Sequence, residues 1–328
     1  MIKLLNSCIE MPPRRTPGKK LLKMLLPIVA LLLLAVGISM AWLVYKVTRP
    51  PRQAYMVTPE TFTLLSERGL KATDETWTNR DGTKARGWLL RGAEGHPGVV
   101  LLHRYGADRS WLLNLGVKLN EATNYTVLWP DLRGHGQDPP VAWTSFGSRE
   151  TEVVAAALDY LRSLKTEQQR PLVGQNIGLY GVELGAYAAL QAGSREPNVR
   201  ALVLDSVPGS ANDLLNDAVR DRTGLSNGLL QWLARAGMRI YFLGGYGNVP
   251  ACETARGVAG RRVLLLAGDG AEHLRGSTTA LAQCFPDPAS VEVKSDLPIS
   301  GYNLPSATGQ QGETYDRRVI DFFDRALR

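Results

Sequence analysis

The strongest constraint on the fold of this chain lies in residues 176–190, read as a short apolar strand over 177–180, a turn, Gly181-Val182-Glu183-Leu184-Gly185, and a helix of small residues from Ala186. Two glycines four apart are needed because the turn is so sharp that neighbouring backbones nearly touch. The segments around it alternate in the same way. Strands are expected at 72–78 and 85–91, joined by a hairpin signal at 79–82, and at 99–103, 126–129, 201–205, 262–267 and 290–294. Helices are expected at 58–68, 110–120, 149–165, 278–284 and 313–327. The helix at 149–165 carries Val153, Val154, Ala157, Leu158 and Leu161 at helical spacing. Residues 99–103 form a continuous apolar run, as in a strand buried on both faces. Strands alternating with helices imply an α/β fold with a mostly parallel, doubly wound sheet. Residues 209–247 break the alternation with short amphipathic helical stretches, notably 229–241; they read either as a small lid or as an ordinary packed excursion.

A second constraint precedes this domain. Residues 24–45 carry no charge and are dominated by Leu, Ala, Val and Ile. A helix of that length spans a hydrocarbon core of roughly 30 Å. Six basic residues (Lys3, Arg14, Arg15, Lys19, Lys20 and Lys23) and one acidic residue, Glu10, precede the apolar run, so most of the net charge of +7 is a tail effect. The basic flank predicts a cytoplasmic N-terminus and an extracytoplasmic C-terminal domain. Trp42 and Tyr45 fit the outer interface as aromatic anchors. The alternative is a cleaved signal peptide, since Ser39-Met40-Ala41 resembles a small-x-small cleavage site. The expected organisation is a basic cytoplasmic tail (1–23), a single-pass transmembrane anchor (24–45), a linker (46–57) opened by Pro50-Pro51, and a domain over 58–328. No basic stripe with interleaved aromatics occurs, which argues against nucleic-acid binding. Of three cysteines, Cys8 falls on the cytoplasmic side. Cys252 and Cys284 flank the 263–267 strand, and both a disulfide and two separate thiols remain open.

Three motifs in order carry a family resemblance. Leu101-Leu102-His103-Arg104-Tyr105-Gly106 follows the third strand and looks like an H-G-x-G oxyanion stretch; Asp131-Leu132-Arg133-Gly134-His135-Gly136 follows the fourth; Gly181-Val182-Glu183-Leu184-Gly185 matches the G-x-S-x-G elbow. The domain from about residue 72 onward resembles an α/β-hydrolase of the serine esterase/lipase type, closest to membrane-anchored bacterial members with little or no cap. The resemblance implies a serine, a histidine to take its proton and a carboxylate to orient that histidine. Glu183 stands at the serine position. Alanine (Ala271) stands at the acid position after the 262–267 strand, with Asp269, Glu272 and His273 beside it. The loop 295–305, where the base is expected, has no histidine and none follows. Fold alone confers no activity.

The resemblance with its gaps implies a degenerate triad and a non-hydrolytic protein that binds a hydrophobic small ligand or a membrane-protein partner. The alternative is an active carboxylic-ester-type hydrolase with a rearranged site of Glu183, His273 and Asp269. Arg104, Tyr105 and Leu184 are the oxyanion-region candidates. Arg104 stands where glycine usually follows the histidine; either it pairs with Glu183 and fills the pocket, or it points to solvent. His103 and His135 are expected to brace loops, and Asp205 to cap structure. Tyr302 and Asn303, near the expected base position, cannot take a proton at neutral pH. No cofactor or metal is expected.

Overall fold

A computed structural model describes residues 17–63, 69 and 71–328. Most of the basic tail, Cys8 and the end of the helix expected to reach residue 68 lie outside the described residues. Helix α1 (Pro17–Thr48) contains the apolar run and continues three residues beyond it. It is long and apolar enough to cross a membrane. Its last turns are not a free linker: Leu43, Val44, Val47 and Thr48 are buried. A short helix, α2 (Pro59–Thr63), leads into the sheet.

The sheet has eight strands in the order β1-β2-β4-β3-β5-β6-β7-β8. They are β1 (Thr73–Thr78), β2 (Lys84–Leu90), β3 (His96–Leu102), β4 (Thr126–Pro130), β5 (Val173–Val182), β6 (Val199–Asp205), β7 (Arg262–Leu266) and β8 (Val291–Lys294). β2 runs antiparallel to β1 and β4, and all strands from β3 onward pair in parallel. Every residue of β4 is buried, which is why its sequence shows no alternation. Helices α3 (Leu113–Thr123) and α10 (Gly309–Leu327) pack together on one face, while α4 (Ser148–Ser163) and α5 (Leu184–Arg195) pack on the other. Two large apolar clusters fill the two interfaces.

Between β6 and β7 come α6 (Ala211–Thr223), α7 (Gly228–Tyr241) and α8 (Ala251–Arg256). α1 packs against α6 and α7, so the excursion holds the end of the apolar helix against the domain. Gly237 marks the closest approach: a Cβ there would lie 2.6 Å from Met40 Cγ and Val44 Cγ2. Helix α9 (Glu272–Leu281) begins six residues earlier than its periodicity suggests. The Glu272 carboxylate accepts from the Gly270 amide (2.8 Å) at its N-terminus. That places His273 and Arg275 in its first turn rather than in a loop. Cys252 and Cys284 form a disulfide, with their Cα atoms 5.2 Å apart, tying α8 to the turn after α9.

Candidate functional site

The carboxyl ends of β3, β5 and β6 build the site. β5 runs into the turn at Gly181 and α5 starts at Leu184, one residue past the apex. Both glycines are sterically required. A Cβ on Gly181 would lie 2.4 Å from the Gly185 carbonyl carbon, and one on Gly185 would lie 2.3 Å from the Leu102 carbonyl oxygen. At the apex Glu183 has φ +50°, a conformation disfavoured for a residue with a side chain. The neighbouring backbone fixes it there: its amide donates to Asp205 O (2.9 Å) and its carbonyl accepts from Tyr187 N (2.9 Å).

The Glu183 side chain turns inward and is 3% exposed. Its Oε2 accepts from the Tyr105 amide (2.7 Å) and from the Leu184 amide (3.4 Å). One donor follows β3 and the other follows the apex, and both converge on one carboxylate oxygen. Burial pushes the Glu183 carboxyl up to about 7, opposed by the Tyr105 amide and by the Arg104 charge. The Tyr105 hydroxyl donates to Val47 O (2.7 Å), and Arg222 Nε donates to Lys46 O (3.3 Å). The C-terminal end of α1 is therefore tied both to the residue whose amide holds Glu183 and to α6.

Arg104 neither bonds to Glu183 nor extends into solvent. Its guanidinium lies between the Trp111 and Tyr302 rings, 4.4 and 4.3 Å from their centroids. It donates to Tyr105 O (2.9 Å) and Tyr302 O (3.2 Å). Cation–π contact on both faces, with carbonyl acceptors at the edge, satisfies the charge without a carboxylate. Arg104 and Glu183 are thus Coulombic neighbours rather than a hydrogen-bonded pair.

His273 approaches from α9 toward a different acid. Its Nε2 lies 3.6 Å from Asp217 Oδ2 on α6, and its ring meets Tyr302 edge-on at 5.8 Å. Burial raises the Asp217 pKa, and the Asp217 charge in turn raises that of Glu183. Asp269 is turned away; its carboxylate pairs with Arg275 (2.7 Å) and is largely exposed. The structure brings together Arg104, Tyr105, Glu183 and Leu184, sets His273 beside Asp217, and leaves Asp269 with Arg275. Sequence reasoning does not reach Asp217, which sits in the excursion with no motif around it. Trp111, likewise unmarked by any motif, supplies half of the Arg104 clamp.

The remaining polar groups are structural. His103 Nε2 accepts from Leu132 N (3.0 Å), so Nδ1 carries the proton and donates to Arg104 O (2.8 Å). His135 Nδ1 engages Arg133 O (2.7 Å). Burial drops these imidazoles to about 4 and about 3, so both stay neutral and brace the two loops. Asp205 is buried, raised to about 6 by desolvation, and accepts from Ser206, Tyr315 and the Gly301 amide. The loop expected to carry a base thus presents a backbone amide to Asp205. Among the described residues no cluster of His, Cys, Asp and Glu could hold a metal ion.

No curated protein is a significant sequence match. Solved structures do match in fold. The Pyrococcus furiosus esterase Pf2001 superposes with a TM-score of 0.62 at 18% identity, covering 86% of this chain and 98% of the esterase. The α/β hydrolase GrgF from Penicillium sp. sh18 gives 0.56 at 16% identity, over 79% of this chain and 99% of GrgF. The hypothetical protein PA2218 from Pseudomonas aeruginosa gives 0.56 at 20% identity, over 80% and 95%. The model of the alpha/beta hydrolase family matches residues 99–308, which hold the oxyanion-region loop, the elbow, the excursion and the loop after β8. With that match and the eight-stranded sheet around a G-x-x-x-G elbow, this chain belongs to the alpha/beta hydrolase family.

Proposed function

We propose that this protein is a membrane-tethered member of the family that does not hydrolyse esters and acts by binding. One observation carries the reading: the two backbone amides that converge at the elbow, Tyr105 N and Leu184 N, are both engaged by the protein's own Glu183 carboxylate. Donors arranged like this stabilise a developing oxyanion only when they are free to meet it. A carboxylate already held there opposes a second negative oxygen. The base is lacking as well, since residues 295–305 contain no histidine. Helix α1 supplies the tether, with its N-terminus on the cytoplasmic side and the domain outside. The Cys252–Cys284 disulfide fits an oxidising compartment.

The test is an assay of the purified full chain on short- and medium-chain p-nitrophenyl esters, beside a fluorophosphonate probe. No turnover and no labelling are expected. A second reading is favoured by one feature: a carboxyl near pKa 7 close to a His273–Asp217 couple has the ingredients of acid–base work at neutral pH. In that rearranged hydrolase Asp217, not Asp269, would orient the imidazole. Ester turnover that disappears in Glu183→Gln and in His273→Ala would establish this second reading and overturn the first.

A further inference from the structure

A cavity of about 370 Å³ lies between α1 and α7, away from the elbow. Gly37, Met40, Ala41 and Val44 of α1 form one wall, and Gly237 and Ile240 of α7 form the other. Small residues create it: a Cβ added at Gly37 would meet nothing within 4 Å. The groove ends at Arg49, whose guanidinium lies 4.4 Å over the Tyr45 ring and donates to the Tyr45 hydroxyl (3.3 Å). Among the described residues Arg49 has no carboxylate partner. From Gly37 to its end at Thr48 the helix advances about 17 Å, close to the thickness of one leaflet with its interface.

Helix α7 adds an independent indication of depth. Leu229, Trp232 and Ile240 recur at helical spacing and are more than half exposed, while Leu233, Ala234, Gly237 and Met238 are buried on the adjoining face. A soluble surface rarely exposes such a stripe. The Leu31–Leu34 segment of α1 is similarly exposed. Arg235 and Arg239 border the stripe, as cationic residues do on helices lying in an interface.

We infer that the α1–α7 groove is a binding site for one acyl chain of an anionic phospholipid, with the headgroup phosphate at Arg49. The acyl chain runs along Gly37 and Ala41, where a Cβ at residue 37 meets nothing within 4 Å, and ends against the α7 wall at Ile240. The phosphate meets a cation pre-positioned on Tyr45 at the level where the uncharged run ends. The inference rests on the reading that α1 spans the bilayer.

The experiment uses the full chain reconstituted into phosphatidylcholine vesicles. These contain either phosphatidylglycerol or phosphatidylcholine bearing a diazirine in one acyl chain. After irradiation, cross-links are mapped by peptide mass spectrometry. Cross-links are expected at residues 37–45 and 237–241, with a ~5-fold preference for the phosphatidylglycerol probe. Gly37→Leu, which fills open space, should lower groove cross-links several-fold while those to the exposed face near Leu33 persist. Arg49→Gln should keep the groove cross-links and lose the headgroup preference. Cross-links spread evenly around α1 and insensitive to Gly37→Leu would overturn the site, as would equal yields from both probes. Complete absence of cross-links to α1, with release of the chain by alkaline carbonate, would instead overturn the membrane reading and the groove with it.

Discussion

Replacing Glu183 by glutamine should make the protein more stable at alkaline pH, an unusual result for a change at the apex of a sharp, buried turn. The carboxyl ordinarily titrates near 4.5, and burial pushes it up to about 7 in the folded chain. Below pH 4.5 it is protonated whether the chain is folded or not, and burying it carries no charge penalty. Between 4.5 and 7 the folded chain keeps a proton that the unfolded chain has released, so stability falls as pH rises. Above about 7 both forms are ionised and the whole penalty stands. The separation corresponds to ~3 kcal/mol. A glutamine side chain at this position stays neutral, and its amide oxygen can still accept from Tyr105 N and Leu184 N. For a domain of this size about 1 kcal/mol shifts the melting temperature by ~2 °C. The Glu183→Gln variant should therefore melt ~6 °C above the parent at pH 8 and converge to within ~2 °C at pH 5. Tryptophan-fluorescence melts of both proteins in the same detergent read this out. Asp205, raised to about 6, is common to both, so the difference between the curves isolates Glu183. A gap between the two proteins that stays constant from pH 5 to pH 8 would rule this account out. It would show that Glu183 is ionised throughout and compensated by Arg104 after all.

Glu183→Ser should remain unlabelled by a fluorophosphonate probe and inert toward esters, because no imidazole stands in the 295–305 loop to take the serine proton; rapid labelling would contradict this. Removing the disulfide as Cys252→Ser with Cys284→Ser releases a cross-link spanning 32 residues, which should cost ~3–4 kcal/mol and appear as a lower melting temperature. Gly237→Val drives a side chain into Met40 and Val44; overpacking of ~1–3 kcal/mol should loosen α1 from α7, measured as faster protease cleavage after Thr48. Tyr315→Phe strips a hydroxyl from buried Asp205 and should cost ~1–3 kcal/mol, seen in urea unfolding.

The elbow is legible in the chain because its glycines answer a purely local demand, the contact of two backbones. The parallel strands are legible for a related reason: a strand buried on both faces must be apolar throughout. Boundaries set by tertiary partners are not. β5 begins at Val173 because His96 offers it a pairing partner. α9 begins early because a single carboxylate, Glu272, serves the amide before it. The surroundings of Arg104 are least accessible. Its charge suggests a carboxylate partner, yet Trp111 and Tyr302 carry no charge, Tyr302 lies far from it in sequence, and pairing rules for ions give no hint of a ring clamp. Asp217 belongs to the same class, since only the folding-back of α6 brings it to His273.

The contacts around Glu183 also bear on why one substitution would not restore a hydrolase. A buried amide without an acceptor costs ~1–3 kcal/mol, and the elbow geometry forces two such amides to face one point. A small residue at 183 would leave them to water or ligand, whereas a glutamate is long enough to reach back and satisfy both from within. Once it does, the elbow amides are satisfied from within, and the residues around them can be tied to the rest of the protein. Tyr105, whose amide holds the carboxylate, uses its hydroxyl to hold Val47 of α1. Arg222 holds Lys46 beside it, and the Thr144 amide donates to Thr48 O. The closed elbow and the docked end of α1 thus share Tyr105 as a common member. Shortening residue 183 would free two donors while Tyr105, which carries one of them, is still tied to Val47 of α1. That coupling makes Tyr105→Phe in the Glu183→Ser background the informative double change. If the Tyr105–Val47 bond is what keeps solvent from the elbow, protection of the Leu184 amide from hydrogen exchange should fall in the double variant by more than the two single changes together predict.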